Sequence, residues 1–329
     1  MDSLLDTPHA TATGWRFELL NGFQRDFPLD ARPYRVIAER LGLDEACVLD
    51  TLDEWQREGV VSRVGAVFRP NTVGRSTLAA LAVPPERLQA VAAQVSAWPQ
   101  VNHNYEREHG YNLWFVVAAN SQRELNTTLR HIREQTGLTP LSLPLVRDYH
   151  IDLGFDLRHG RAPRAAMPRI QIDPTPLQRL LLAELHKGLP LVQTPYRHLA
   201  FATGQSEAFI LGQLDAWQRM GVIRRMGLVL RHRELGYTAN AMAVWDVPDE
   251  QVDEVGARLS TQPGVTLCYR RRRSLPDWRY NLFCMVHGQD RERVSGLIDE
   301  LSRRLGLGEH AHAVLFSRQR FKQCGARYG

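Results

Sequence analysis

Apolar side chains recur every three or four positions in residues 31–41 and again in residues 44–58. This spacing predicts two amphipathic helices. Asp44 is a predicted N-cap for the second helix, and Gly59 is placed to end it. Apolar and polar positions then alternate through residues 60–69, as expected of strands. Two helices, a tight connection and a pair of strands predict a winged helix-turn-helix.

Six further elements follow the helix-turn-helix, in the order strand-helix-strand-strand-helix-strand. Their predicted ranges are 77–83, 85–97, 101–107, 111–118, 121–135 and 141–151. This order is that of the ferredoxin-like split βαβ motif. The first half of the chain therefore predicts a helical unit followed by a separate α/β unit.

The same pattern occurs a second time along the chain. Residues 28–74 align without a gap on residues 190–236, so that Trp55 matches Trp217, 162 positions later. The later elements of the second half are predicted at 237–247, 248–260, 265–271, 279–287, 290–305 and 312–317. A repeat of this length indicates two copies of one domain on one chain. Two fused copies form a built-in pseudo-dimer.

The predicted fold class is therefore α+β, a tandem repeat of a winged helix-turn-helix and a ferredoxin-like (βαββαβ) domain. The predicted domains are 16–74 and 177–236 for the helix-turn-helix units, 75–157 and 237–325 for the ferredoxin-like units, and 158–176 for the linker. The linker is rich in proline and arginine, which favours an irregular connection.

Composition narrows the class of protein. The 329 residues, 43% hydrophobic and 23% charged, are typical of a globular protein, and no apolar run approaches the roughly 20 residues of a membrane span. The four cysteines lie far apart, which argues against disulfides and zinc and favours the reducing cytoplasm. Of 41 basic residues only Lys187 and Lys322 are lysines. Two explanations fit this excess of arginine over lysine. One is a genome whose codons favour arginine, and the other is a ligand with many carboxylates, which guanidinium groups bind.

The architecture resembles that of the leucine-responsive (Lrp/AsnC) regulators, which suggests binding to DNA. The second helix argues against that function. Residues 44–58 contain six acidic residues and one basic residue, Arg57. Phosphates would repel such a helix, so nucleic acid is an improbable partner.

The two copies differ most in the second and third strands of the ferredoxin-like unit. The first copy carries His103 and His109 there, whereas the second copy carries no histidine. The second copy has five more residues between the matching tyrosines, which are Tyr269 and Tyr280, and it contains four consecutive arginines from 270 to 273. One copy thus supplies imidazoles and the other supplies guanidiniums.

These differences predict one asymmetric site. Histidine transfers protons near neutral pH, so His103 and His109 are the predicted catalytic residues. Surface histidines and a solvated arginine-rich tip are the simpler interpretation of the same residues. The predicted substrate-binding residues are Arg63, Arg107, Tyr111, Trp114, Arg225, Arg231, Arg270, Arg271 and Arg272.

Several stretches resemble one known family, the siroheme decarboxylases, which are related to the leucine-responsive regulators. They include Arg63–Phe68, the hairpin with His103 and His109, and residues 149–155 in the first copy, and residues 223–237, 285–288 and 315–322 in the second. The resemblance extends over about residues 16 to 325 and matches the form in which two subunits are fused. It implies removal of CO2 from the C12 and C18 acetates of siroheme during heme d1 formation.

The resemblance also implies that two histidines are essential, and His103 and His109 match best; His150, His232 and His287 are further candidates. It implies no protein-bound metal and no cofactor beyond the iron carried by the substrate. The expected partners are the tetrapyrrole substrate, a homologous decarboxylase subunit and a second copy of the chain. The alternatives are a DNA-binding regulator and a heme-binding sensor in which a histidine ligates iron without turnover.

Overall fold

The computed structural model describes residues 14–151, 170–230 and 239–326. The helices of the first half are α1 (Trp15–Gly22), α2 (Pro33–Leu41), α3 (Glu45–Arg57), α4 (Leu88–Ala97) and α5 (Gln122–Thr136). Its strands are β1 (Val61–Phe68), β2 (Arg75–Leu81), β3 (Val101–Arg107), β4 (Leu113–Ala119) and β5 (Leu141–Ile151). A 3-10 turn, Pro85–Arg87, precedes α4.

The second half repeats this order. Its helices are α6 (Pro176–Lys187), α7 (Pro195–Thr203), α8 (Glu207–Arg219), α9 (Val252–Ser260) and α10 (Arg291–Arg304). Its strands are β6 (Ile223–Leu230), β7 (Ala239–Trp245), β8 (Val265–Arg271), β9 (Leu282–Gly288) and β10 (His312–Gln323). A 3-10 turn, Leu307–Glu309, follows α10. The helices α1 and α6 were not among the predicted elements; each adds a third helix to its helix-turn-helix unit.

Local sequence sets the ends of the helix-turn-helix elements in the same way in both copies. Helix α2 begins with Pro33 and is followed by Gly42 in the left-handed conformation, with φ 68°. Helix α7 begins with Pro195 and is followed by Gly204, with φ 66°. Proline fits the first turn because it needs no backbone donor there, and glycine adopts positive φ without steric cost.

Each half forms a four-stranded ferredoxin-like sheet, as predicted. The strand order is β5-β2-β4-β3 in the first half and β10-β7-β9-β8 in the second. Strands β3 and β8 have the predicted bounds. Buried apolar residues of α4 and α5 cover one face of the first sheet, and those of α9 and α10 cover one face of the second.

The two sheets are joined edge to edge into one closed eight-stranded barrel. The first residues of β5 pair with β2, and residues from Leu145 to Ile151 pair with β8. In the same way β10 pairs first with β7 and then, from Ser317 to Gln323, with β3. Strand β10 is therefore six residues longer than the predicted 312–317, because its second part belongs to the sheet of the other half.

The predicted wing was wrong in one respect. In the described residues each copy contributes a single strand after the second helix of its helix-turn-helix, which is α3 or α8. Strand β1 of the first copy pairs antiparallel with β6 of the second. Gly65 lies opposite Gly227, its match in the repeat, so the pseudo-two-fold axis passes between these two residues. One apolar core is shared by both helix-turn-helix units around this sheet.

Two tyrosines add reciprocal contacts across the same axis. The hydroxyl of Tyr34 donates a hydrogen bond to the carbonyl of Pro190 at 3.2 Å, and that of Tyr196 donates to the carbonyl of Pro28 at 2.9 Å. Both tyrosine side chains are buried. Because Tyr196 matches Tyr34 in the repeat, each copy holds the other by the same contact.

We expect Tyr196→Phe to lower the free energy of unfolding by about 1 kcal/mol, because it leaves a part-buried carbonyl without its donor. Urea denaturation of the full chain measures this loss. The matched variant Tyr34→Phe should lose a similar amount because its contact is the symmetric equivalent. An unchanged denaturation midpoint in both variants would show that these bonds do not hold the copies together.

Candidate active site

The inner side of β3 brings together His103, Tyr105 and Arg107. In the register of the β3–β4 hairpin, His103 lies opposite Val116 and Tyr105 lies opposite Trp114. Val116 and Trp114 belong to the apolar cluster that fills the barrel. Alternation along a strand then directs these three side chains of β3 toward the barrel interior.

His103 is a half-buried residue whose imidazole tautomer is set by a neighbouring side chain. Its Nδ1 lies 2.9 Å from Oδ1 of Asn102, an atom that only accepts, so Nδ1 of His103 carries the proton. Its Nε2 therefore offers a lone pair. Burial lowers the pKa of His103 from 6.5 to about 4. At neutral pH His103 is an uncharged group that can accept a proton or a hydrogen bond.

His109 lies at the exposed tip of the same hairpin and has the opposite tautomer. The backbone N–H of Tyr111 donates to its Nδ1 at 3.0 Å, so the neutral ring carries its proton on Nε2. The ring of Trp278 packs edge-on against it, with centroids 5.4 Å apart. Burial lowers the pKa of His109 below 6.5. The neutral form of His109 thus offers a donor where His103 offers an acceptor.

The two histidines do not lie side by side. His103 is four residues before Arg107 at the end of β3, a path of roughly 13 Å along an extended strand. His109 is two residues beyond that end, in the turn that leads to β4. The two imidazoles therefore cannot act together on one carboxylate. They can act on two groups of one large substrate.

Arg107 and Arg271 form a symmetric pair inside the barrel. Arg107 Nη1 donates to the carbonyl of Leu315 at 3.0 Å, and Arg271 Nη1 donates to that of Leu143 at 2.8 Å. Each of these bonds crosses one of the two joins, which are the strand pairs β3–β10 and β5–β8 that link the two sheets. Neither arginine forms an ion pair with a carboxylate in the described part of the chain. Burial lowers the pKa of both guanidinium groups.

The two joins carry opposite charge at equivalent positions. Asp148 lies opposite Tyr269 on one join, and Arg320 lies opposite Tyr105 on the other. Arg69 holds the Asp148 carboxylate through two hydrogen bonds of 3.1 Å. Arg224 adds an ion pair to Asp148 at 3.5 Å. The acid on this join is therefore neutralised by the helix-turn-helix sheet.

The other join, between β3 and β10, contains His103. Gln323 lies opposite His103, and Arg320 Nη1 donates to Oε1 of Gln323 at 3.1 Å. The position that matches His103 in the second copy is Leu267, which lies opposite Ile151. The join with His103 also carries Arg107, Arg320 and Lys322, whereas the other join carries Asp148 and His150 together with Arg147, Arg270 and Arg271. The side chains at the two joins therefore differ, and the single asymmetric site stays a prediction.

The predicted arginine run is divided between two faces of β8. Arg271 points inward, but Arg270 lies on the outer face and pairs with Asp249 at 2.7 Å and with Asp253 at 3.6 Å. Arg272 is exposed beyond the end of β8. Of the three predicted arginines, the structure brings only Arg271 into the barrel.

Three predicted substrate-binding arginines remain: Arg63, its match in the repeat Arg225, and Arg231. Arg63 on β1 donates to the carbonyl of Ala66 at 3.2 Å. Its match, Arg225 on β6, donates to the carbonyl of Gln24 at 2.5 Å. Both lie in the two-stranded sheet between the helix-turn-helix units, not in the barrel. Arg231 lies outside the described residues.

The predicted aromatic residues lie at the hairpin end of the barrel. Trp114 is buried, and its indole Nε1 donates to the carbonyl of Tyr111 at 2.7 Å. Trp278 packs against both rings, with centroids 4.9 Å from Trp114 and 6.2 Å from Tyr111. These three rings cover the end of the barrel at which His109 lies.

The further histidine candidates are placed apart from this group. His287 Nδ1 lies 2.8 Å from Oγ1 of Thr266 on the neighbouring strand. His150 lies on β5 opposite Cys268, at the join without His103. His232 lies outside the described residues. Among the described residues no group of three histidine, cysteine or carboxylate side chains could hold a metal ion.

Sequence reasoning missed Trp278 and Arg320. Trp278 is 1% exposed and lies in the loop that is longer in the second copy, so the length difference was the available signal. Arg320 lies beyond the predicted end of the last strand. It becomes a neighbour of Tyr105 only because β10 continues onto the sheet of the other half.

Profiles of two families match the chain, each of them twice. The AsnC-like ligand binding domain matches residues 72–150 and 234–322. The siroheme decarboxylase NirDL-like HTH domain matches residues 17–61 and 178–224. Within the described residues no helix is both long enough and apolar enough to cross a membrane.

Two relatives are similar to this chain over different lengths, one over nearly the whole chain and the other over less than half of it. The siroheme decarboxylase NirDL subunit of Paracoccus denitrificans is 44% identical over 94% of this chain and 95% of its own length. The siroheme decarboxylase NirD subunit of Pseudomonas aeruginosa is 51% identical over 44% of this chain and 95% of its own length. It therefore corresponds to about one half.

A solved structure shows the same architecture. It is the crystal structure of the siroheme decarboxylase NirDL in co-complex with an iron-uroporphyrin III analogue. It aligns with a TM-score of 0.74 and 30% identity over 96% of this chain and 94% of that chain. Both the helix-turn-helix units and the barrel are thus shared.

We expect neutral His103 to contribute stability that is lost in acid. The unfolded chain takes up a proton on this histidine near pH 6.5, whereas the folded protein does so only near pH 4. The contribution is therefore present above pH 6.5 and falls as the pH decreases from 6.5 toward 4. The measurement is the free energy of unfolding against pH for the wild type and for His103→Gln. Parallel curves would contradict the buried state of His103.

Proposed function

The chain belongs to the siroheme decarboxylase family of carboxy-lyases, and on that basis we propose the reaction that it catalyses. It removes CO2 from the acetate side chains at C12 and C18 of siroheme and gives 12,18-didecarboxysiroheme, a step toward heme d1. One observation supports this proposal most directly. It is the pair of inward-facing guanidinium groups, Arg107 and Arg271, whose positive charge no carboxylate of the described residues balances.

Such charges fit a ligand with many carboxylates. A buried cation without a counter-ion is costly, because carbonyl groups, ring faces and single polar atoms such as Met285 Sδ and the Tyr269 hydroxyl replace water only in part. Arg271 lies over the ring of Tyr269 at 4.6 Å, and Arg107 over that of Tyr105 at 5.8 Å. The Nε atom of Arg271 is buried without a hydrogen-bond partner. A carboxylate of the substrate would supply both the missing charge and the missing acceptor.

The arginines hold carboxylates that do not react. A guanidinium group on the departing carboxylate would stabilise the substrate more than the transition state and would slow the loss of CO2. The arginines hold the carboxylates of the macrocycle that do not react, and this positions the macrocycle against the imidazoles. Arg107 and Arg271 are therefore assigned to orientation of the ring.

The histidines are assigned to the protons. An acetate side chain is already ionised at neutral pH, so the imidazoles are assigned to the protonation that follows the loss of CO2. Loss of CO2 leaves an electron pair on the methylene carbon, which the conjugated macrocycle takes up. Return of one proton to that carbon then gives a methyl group. Because the two imidazoles lie too far apart to serve one acetate, His103 is assigned to one acetate and His109, at the solvent-exposed tip, to the other.

No protein-bound cofactor is part of this proposal, since the iron arrives in the substrate. The regulator alternative is disfavoured by both the family and the charge of α3. Residues 44–58 carry six acidic residues, and their one basic residue, Arg57, pairs with Asp53 at 2.5 Å. A helix of this charge does not suit a groove between phosphates.

Each half of the chain takes the part of one subunit. Half-length relatives bear the names siroheme decarboxylase NirL subunit and NirD subunit, and each matches less than half of this chain. We propose that one chain supplies both copies, and that a second chain or a homologous subunit can still associate with it. The four cysteines are unpaired, which supports a reducing cytoplasm.

The activity is tested by mixing the purified chain with siroheme without oxygen and analysing the product by mass spectrometry. We expect a product lighter by two CO2. Separate His103→Gln and His109→Gln variants should each lower turnover by about 10²–10⁴-fold, the usual contribution of a proton-transferring group. Full activity in both variants would contradict the site, and unchanged siroheme with the wild type would contradict the function.

The role of the buried arginines is tested by Arg271→Gln. We expect KM for siroheme to rise by about tenfold or more, which corresponds to the loss of roughly 1.4 kcal/mol of binding free energy. The effect on kcat should be smaller because the group does not touch the departing carboxylate. The matched control is Arg293→Gln on the exposed surface of α10, which should leave both constants unchanged. A fall in kcat with constant KM would contradict the assignment.

A further inference from the structure

Trp278 belongs to the second copy but packs against the histidine of the first copy. It lies in the loop between β8 and β9 and is 1% exposed. Its ring centroid is 5.4 Å from that of His109, at an interplanar angle of 71°. Tyr280 and Phe283 pack on other sides of it, at 5.0 Å and 6.3 Å. The indole of Trp278 thus packs against one side of the imidazole of His109.

The loop that carries Trp278 is held in a defined shape. The backbones of Ser274 and Trp278 exchange two hydrogen bonds of 2.8 Å each. Arg273, just before this pair, donates to Asp246 at 2.8 Å and to Asp249 at 2.8 Å. Arg279, just after it, donates to Asp246 at 2.7 Å. Both ends of the loop are therefore fixed to the chain segment that follows β7.

His109 would be poorly fixed without this contact. It is an exposed residue next to Gly110, in a turn of five residues between β3 and β4. In the described part of the chain, its imidazole accepts a hydrogen bond from the backbone N–H of Tyr111. That bond fixes Nδ1, and the ring also stacks on that of Tyr111, with centroids 6.4 Å apart. The edge-on contact with Trp278 restricts the ring from a second side.

We propose that Trp278 is a positioning residue for the decarboxylation: the second copy supplies the indole that holds the imidazole of His109 in the first copy. This inference rests on the proposed function, because it takes His109 to be catalytic. It gives the longer loop of the second copy a role. The first copy, whose hairpin is five residues shorter, needs a residue of its sister copy to complete its site.

The groups that surround His109 allow its pKa to report this contact. Glu108 on the same hairpin is engaged by Arg291 at 2.6 Å and by Arg318 at 3.3 Å. Asp277, next to Trp278, acts on Tyr111 and with burial raises the pKa of that phenol. Removal of the indole would uncover the face of the His109 ring that Trp278 now covers. Its pKa should then rise toward the ordinary value of 6.5.

The variants are Trp278→Leu, which removes the ring, and Trp278→Phe, which keeps a ring in the same core. Leu275→Ala, an exposed residue of the same loop, is the control. Histidine NMR of the full chain gives the pKa of His109, whose signal is identified by its loss in His109→Gln. We expect the pKa to rise in Trp278→Leu, to change less in Trp278→Phe and to stay constant in Leu275→Ala. An equal pKa in all variants overturns the proposal, whatever their activity.

Turnover of siroheme then separates positioning from folding. We expect kcat to fall about tenfold in Trp278→Leu with little change in KM, and Trp278→Phe to restore most of it. In a His109→Gln background the loop substitution should have no further effect, because Trp278 acts through the imidazole. Additive effects in this double-mutant cycle would contradict the proposal. A raised pKa with unchanged kcat would remove His109 from the reaction, and Trp278 with it, while the decarboxylase activity would stand.

Discussion

The closure of the barrel is the constraint on which the rest of the structure depends. Strands β5 and β10 each begin in the sheet of their own half and end in the sheet of the other half. A ferredoxin-like sheet alone would expose a long unpaired edge, which proteins normally avoid. Here each edge is paired by the sister copy. Each half thus has its own sheet, but the edges of both sheets are paired only where the two copies meet.

This closure gives the site its asymmetry. The two joins are equivalent in backbone but not in side chains, because His103 on one is matched by Leu267 on the other. Asp148 and Arg320 likewise occupy equivalent positions with opposite charge. The helix-turn-helix sheet neutralises the acid through Arg69 and Arg224, so that the unit which other proteins use on DNA has a structural role here. Duplication followed by divergence thus gives the two joins different side chains.

The buried arginines connect stability with binding. Arg107 and Arg271 each donate across a join to a backbone carbonyl, and these bonds help to hold the barrel closed. The same contacts leave Nε of Arg271 without an acceptor. A polyacidic substrate would satisfy these groups and would bind where the two copies meet. Binding would then stabilise the closed barrel, because a ligand favours the state that it binds.

The sequence by itself determined the duplicated architecture, the bounds of β3 and β8, and the hairpin in which the copies differ. These features depend on local periodicity and on comparison of one half with the other. Only the tertiary structure decided that Arg271 faces the barrel while Arg270 pairs with Asp249, and that Trp278 reaches His109. A period of two residues defines the two faces of a strand, but it does not say which face becomes the interior. Which edge strand pairs with which depends on contacts between residues far apart in the chain, and no local pattern records them.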